Sequence, residues 1–163
     1  MEDTCARRAK FHRALRTPGS ARARYNDGMD IRLEPASVYA AVGSDDNDRA
    51  QAFADLVDHF YDGVEADPVL RPLYPDEDLA GARERLALFL IQYFGGAPAY
   101  AEARGHPRLR MRHFPFAIGP VERDAWLRHM DAALDATCAF ASVAPVMRRY
   151  FREAAHFLQN RPD

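Results

Sequence analysis

Apolar residues spaced three and four apart, in runs of several helical turns that each end at Pro or Gly, limit this chain to an all-helical fold. The clearest run is Phe53, Leu56, Val57, Phe60, Tyr61 and Val64, which one face of a helix over about Asp48–Glu65 brings together. Asp67-Pro68 ends it, because the residue before a proline is driven out of the helical region. Leu73, Tyr74 and Pro75 should turn a corner, and Asp76, Glu77 and Asp78 suit the positive start of the next helix. That helix carries Leu79, Ala82, Leu86, Phe89, Leu90 and Tyr93 on one side and stops at Gly95-Gly96, where the chain can leave sharply. A loop with Tyr100 is expected next, then a short helix over Pro107–His113 with Leu109 one turn before His113.

Gly119-Pro120 opens another long helix, its inner face read as Trp126, Met130, Ala133, Leu134 and Thr137. Pro145 opens the last one, with Val146, Tyr150, Ala154, Phe157 and Leu158 inward and Arg148, Arg149, Arg152 and Glu153 mainly outside. No segment reads as a strand and no repeat is evident. The arginine-rich stretch 1–36 lacks an apolar period and reads as a poorly ordered extension; Met29 also makes a plausible translation start. The folded domain is expected over 37–163.

With 163 residues, nearly half of them hydrophobic, the chain can bury one ordinary core. A net charge of −2 gives no bulk attraction to nucleic acid or to an anionic membrane, and no apolar run approaches the ~20 residues of a membrane span. Two cysteines, Cys5 and Cys138, one near the N-terminus and one in an expected helix, give no support for a disulfide framework or a cysteine metal site, so a cytoplasmic location is expected.

The segment RGHPRLRMRHFPF, Arg104–Phe116, carries the most chemistry. Imidazole binds iron only as the neutral base, so a ligand histidine needs an apolar group on one side and a partner for its other nitrogen. His113, among arginines and just before Phe114, Pro115 and Phe116, meets that description. Taken alone, an ordinary partly buried histidine is the favoured reading on general grounds, as core packing is for Tyr61, Tyr74 and Trp126 taken singly. Arg104, Arg108, Arg110 and Arg112 look like a nucleic-acid patch, but a short helix points them in several directions.

These pieces form an ordered set that resembles the group II truncated haemoglobins: FYDGVEADPVLRPLYPDEDLAGARERLALFLIQYFGG, then RGHPRLRMRHFPF, then ERDAWLRHM. The resemblance implies an all-α truncated globin fold, a two-over-two helical sandwich around haem b, with His113 as the proximal iron ligand. It implies Arg85 and Arg112 as partners of the haem propionates, Leu86 and Phe89 as pocket wall, and Tyr61, Tyr74 and Trp126 as a polar distal cluster. Ala82 matches the position where many globins carry a distal histidine, and its small size leaves that role to the aromatics. His106 belongs to the same motif without being the ligand.

Two function classes follow from the resemblance. One is a reversible binder of dioxygen and other diatomic ligands such as NO and CO, for transport or storage. The other is a redox enzyme, a peroxidase or nitric oxide dioxygenase, served by a separate reductase. A homodimer is compatible with either. A basic interaction arm at the N-terminus that needs no haem is a third reading, which a colourless protein after mixing with hemin would favour.

Overall fold

The computed structural model describes residues 35–74 and 79–162. The expectations for the leader, for Pro75 and for the acidic start Asp76–Asp78 therefore lie outside the described residues. Seven helices follow in order: α1 (Val38–Ala41), α2 (Asp46–Ala66), α3 (Leu79–Tyr93), α4 (Ala99–Arg104), α5 (Leu109–His113), α6 (Pro120–Ala136) and α7 (Ala144–Leu158). Short 3-10 turns at Pro35–Ser37, Arg71–Leu73 and Cys138–Phe140 join them, and no strand occurs among the described residues.

Local chemistry explains the helix ends. Asp45 caps α2 by accepting the Asp48 amide at 2.9 Å, and Asp46 and Asp48 place negative charge at the positive end of the helix. At its far end the chain turns extended at Asp67, as the following proline requires, and the Asp67 carboxylate accepts the amides of Val69 and Leu70. Helix α3 closes at Gly95, whose φ of 101° is left-handed, while the Gly96 amide reaches back to the Ile91 carbonyl at 2.8 Å. A Cβ on Gly96 would stand 2.5 Å from the Ile91 side chain, so this exit has no room for a larger residue.

Helix α2 packs on both α3 and α6, and α6 packs on α7, giving the two-over-two arrangement. The apolar face expected on α2 is the centre of this arrangement: Phe53, Leu56, Phe60 and Val64 have no accessible surface. Phe53 meets Phe140 edge to face at 5.0 Å, and Phe94 joins Phe151 from α7. Truncating a ring such as Phe60 to alanine should cost ~3–5 kcal/mol through lost contacts and the cavity left behind. Between α2 and α6 the approach is close because Gly63 lacks a side chain; a Cβ there would meet the His129 ring at 2.4 Å.

Three expectations need correction. Tyr100 lies on helix α4, not in a loop, and is buried. Helix α5 begins at Leu109, two residues later than expected, because Arg108 sits in the left-handed region with its amide held by His106 Nδ1 at 3.1 Å. The inward face of α7 is Met147, Phe151 and Ala155, whereas Phe157 is 56 % exposed. Val146 and Tyr150 pack against the core as expected, and Tyr150, Ala154 and Leu158 also border a cavity.

Candidate functional site

A cavity of about 390 Å³ opens between α3, α5, α6 and α7, within the ~300–1,000 Å³ in which small-molecule and cofactor pockets fall. Its wall brings together every residue singled out as a site candidate: Tyr61, Tyr74, Ala82, Arg85, Leu86, Phe89, Arg112, His113 and Trp126. They arrive from five separate parts of the chain.

On one side stands an aromatic cluster. Tyr61 from α2 meets Tyr74 edge to face at 5.5 Å, and Trp126 from α6 lies against Phe60 at 5.2 Å and Phe151 at 5.7 Å. The Tyr61 hydroxyl and the Trp126 indole N–H both turn their hydrogens toward the Tyr74 oxygen. Burial pushes the Tyr74 phenol up to about 12, an effect those two donors partly offset. Burial and then the neighbouring Tyr74 push Tyr61 higher still. Both phenols therefore keep their protons across the neutral range. Ala82 presents only a methyl group here.

Two charged clips hold that cluster. Arg83 bridges α3 to α2 through Asp58 and Asp62, both at 3.0 Å, and its guanidinium lies 5.4 Å from the Tyr61 ring centre. Asp67, buried at the end of α2, binds His129 Nε2 at 2.6 Å and Arg128 at 2.8 Å on α6. The His129 hydrogen bond, foremost among several, lowers the Asp67 carboxyl to about 2.

The part of the wall that carries His113 is built from short, exposed chain. Half-buried His113 has its Nδ1 2.8 Å from the Leu109 carbonyl; only an N–H can make that bond, so in the neutral ring it is Nε2 that carries the lone pair. The one-turn spacing of Leu109 and His113 creates this contact. Asn160, 47 residues further on, donates to the carbonyls of His113 and Phe116 and accepts the Ile118 amide at 3.0 Å, tying the histidine segment to the chain's end. Phe114, counted in the apolar run, is 75 % exposed and outside the cavity wall, while Phe116 lines it.

Of the arginines, Arg112 is fixed by the carbonyls of Pro107 at 2.9 Å and Arg104 at 3.3 Å, and Arg85 is near enough for its charge to act on Tyr61. Arg110 covers the Phe157 ring at 5.5 Å. Arg123 also reaches the cavity, braced by Asp124 and Gln159, as do Tyr100, Ile118, Tyr150 and Leu158. Of these four, Tyr150 both packs against the core, as its helical spacing predicts, and lines the cavity. Asn160 had no signal in the sequence, because its partners are remote.

Haem is the group to test against this site, and the residues fit it. The wall is mostly aliphatic and aromatic, one neutral imidazole carries a nitrogen lone pair, and arginines supply positive charge for carboxylates. Among the described residues no three His, Cys, Asp or Glu side chains gather as for a bare ion, whereas a macrocycle brings its own nitrogen donors and would need one donor from the chain, for which His113 is the candidate.

Comparison with known proteins agrees. The profile of the bacterial-like globin family matches residues 37–160. Group 2 truncated hemoglobin YjbI of Bacillus subtilis is 42 % identical over 97 residues, which make up 60 % of this chain and 68 % of that one. Among solved structures, a thermostable hemoglobin from Thermobifida fusca is 52 % identical with a TM-score of 0.70, covering 77 % of this chain and 98 % of its own. A truncated oxygen-avid haemoglobin from Bacillus subtilis is 35 % identical with a TM-score of 0.68, covering 76 % of this chain and 98 % of its own.

Proposed function

Since this chain belongs to the bacterial-like globin family as a group II truncated haemoglobin, we propose that its cavity holds haem b through His113 and that its task is reversible binding of dioxygen. Membership of the globin family carries haem binding and the capture of diatomic gas ligands. The choice of dioxygen rests on one observation: the polar groups of Tyr61, Tyr74 and Trp126 are gathered around the Tyr74 oxygen in the wall of a mostly aliphatic and aromatic cavity. When bound, haem supplies a ferrous iron that takes up a diatomic ligand with partial transfer of negative charge onto it.

The chain's own residues do the rest. His113, with Nδ1–H committed to the Leu109 carbonyl, would hold the iron through Nε2. The phenol and indole donors stabilise negative charge on the ligand, and low local polarity makes each such bond stronger than it would be in water. Leu86, Phe89 and Leu90 exclude water from that side. Arg85 and Arg112 offer charge-assisted bonds to propionates. The oxygen-avid character of the Bacillus subtilis structure supports the same reading.

A redox role is the second reading, and the same donor cluster favours it: a pocket that releases its ligand slowly suits chemistry on the ligand better than transport. Visible absorption of the purified protein, reduced, oxygenated and then freed of oxygen, tests the first reading. A haem band that shifts and returns supports it. A protein that takes up no haem, or that is irreversibly oxidised at first contact with oxygen, ends the claim of reversible binding.

A further inference from the structure

Two tyrosine pairs lie near the cavity, and they differ in kind. Tyr61 and Tyr74 meet edge-on, and Tyr61 is almost completely enclosed. Tyr150 and Tyr93 are stacked, with ring centres 4.0 Å apart and planes 28° from parallel, the shortest separation of any described ring pair. Tyr150 lines the cavity, whereas Tyr93, at the end of α3, is 40 % exposed. On the inner side the series continues through Phe151, 5.5 Å from Tyr150, to Trp126 at 5.7 Å. Packing alone does not require two phenols here, since Phe would fill the same space.

Tunnelling falls off exponentially with the gap between donor and acceptor, so closely stacked rings exchange electrons readily. Tyrosine is oxidised far more easily than phenylalanine because its phenol can release a proton along with the electron. We propose that Tyr150 and Tyr93 conduct single electrons from the surface into the cavity, making exposed Tyr93 a catalytic residue for phenols too bulky to enter. This inference rests on the haem reading above and names hydrogen peroxide as its oxidant.

The balance is simple. Tyr93 gives one electron through the Tyr150 ring and its phenolic proton to the solvent side, where the Glu153 carboxylate lies near enough to act on it. An external phenol then returns one hydrogen atom to Tyr93 and leaves as a phenoxyl radical. Two such turnovers deliver two electrons to peroxide in the cavity; with two protons from solvent its O–O bond breaks and both oxygens leave as water. Partial burial, and after it Glu153, push the Tyr93 phenol up, so it begins each cycle protonated.

The test uses full-length protein loaded with haem, its loading verified by the visible band. Peroxide is added with a nitroso spin trap and the adduct is mapped by peptide mass spectrometry; in parallel, oxidation of a phenol tethered to dextran is followed. The expected results are an adduct on Tyr93 that is lost in Tyr93→Phe and in Tyr150→Phe, and loss of tethered-phenol oxidation in both variants with an unchanged haem band. Haem-loaded protein with no adduct on Tyr93, or variants that oxidise the tethered phenol as wild type does, would overturn the proposal while leaving the haem reading intact. A chain that takes up no haem overturns both.

Discussion

The two walls of the cavity are built on opposite principles. In the aromatic wall Tyr61 and Trp126 stand on long helices whose other faces form the core, Tyr74 follows the short turn Arg71–Leu73 and packs on Tyr61, and buried or bridging charges at Arg83 and Asp67 lock the helices together. The histidine wall is a five-residue helix with an exposed outer face, held by a few hydrogen bonds from the backbone and from Asn160. Packing thus fixes the side where a ligand would be discriminated, and hydrogen bonding fixes the side where a cofactor would be anchored. A strained or mobile anchor can be tolerated as long as one nitrogen points inward; a donor cluster misplaced by an ångström loses its hydrogen bonds.

The largest effect should come from the weaker wall, because a single atom carries its chemistry. His113→Ala is expected to lose the native axial bond and with it the wild-type reduced absorption spectrum, while far-ultraviolet circular dichroism stays helical. Added imidazole should restore part of the spectrum. An unaltered reduced spectrum in the variant would show that His113 is not the ligand, and the contrast between the two walls would collapse. On the aromatic wall, Trp126→Phe keeps the ring packing against Phe60 and Phe151 and removes only the N–H. Loss of one hydrogen bond predicts dioxygen release faster by roughly tenfold or less, measured by stopped-flow.

The same contrast explains what could be read in advance. Helix ends at Asp67-Pro68, Gly95-Gly96 and Gly119-Pro120 were legible because the residues that stop or start a helix act on their own backbone. The helix around Tyr100 was not, since six residues, half of them Ala, offer no apolar period; tertiary packing of Tyr100 against Phe89 at 5.7 Å stabilises it. On α7 the periodicity was visible but its inward stripe was misplaced, because a helix bordering both a core and a cavity carries two apolar stripes side by side. The site candidates came from the motif resemblance, and the cavity gathers all of them; their supports, Asp67 with His129 and Asn160 with His113, join residues 62 and 47 positions apart, beyond any local rule.

Those supports provide sharper tests. Asp67→Asn keeps the oxygen that accepts from Val69 and Leu70 but removes the charge facing His129 and Arg128. The carboxyl is held at about 2 instead of its ordinary 3.8, so its contribution is present above the ordinary value and is lost as the pH falls toward 2. The variant should be less stable by about 2 kcal/mol at neutral pH, with the two proteins converging in acid, as read from urea midpoints across the pH range. Because the clip sets the spacing of α2 and α6, the variant should also disturb dioxygen release. A stability difference that persists unchanged to the lowest pH would show that packing, not charge, is what Asp67 contributes.

The smallest effect is expected from Asn160→Ala, and its value lies in where that effect appears. The substitution removes both Nδ2 hydrogen bonds, to His113 and to Phe116, and the one Oδ1 accepts from Ile118. All are partly accessible to water, which replaces them at small cost, so a loss of about 1 kcal/mol is expected. Hydrogen exchange should quicken at the Phe116 and Ile118 amides, and haem should leave faster, while dioxygen release stays at the wild-type rate because no aromatic donor has moved. If release accelerates as in Trp126→Phe, the walls are coupled through the bound group and the division between a packed side and a tethered side fails. If only haem loss changes, anchoring and ligand discrimination are separable properties of this fold, adjustable by different residues.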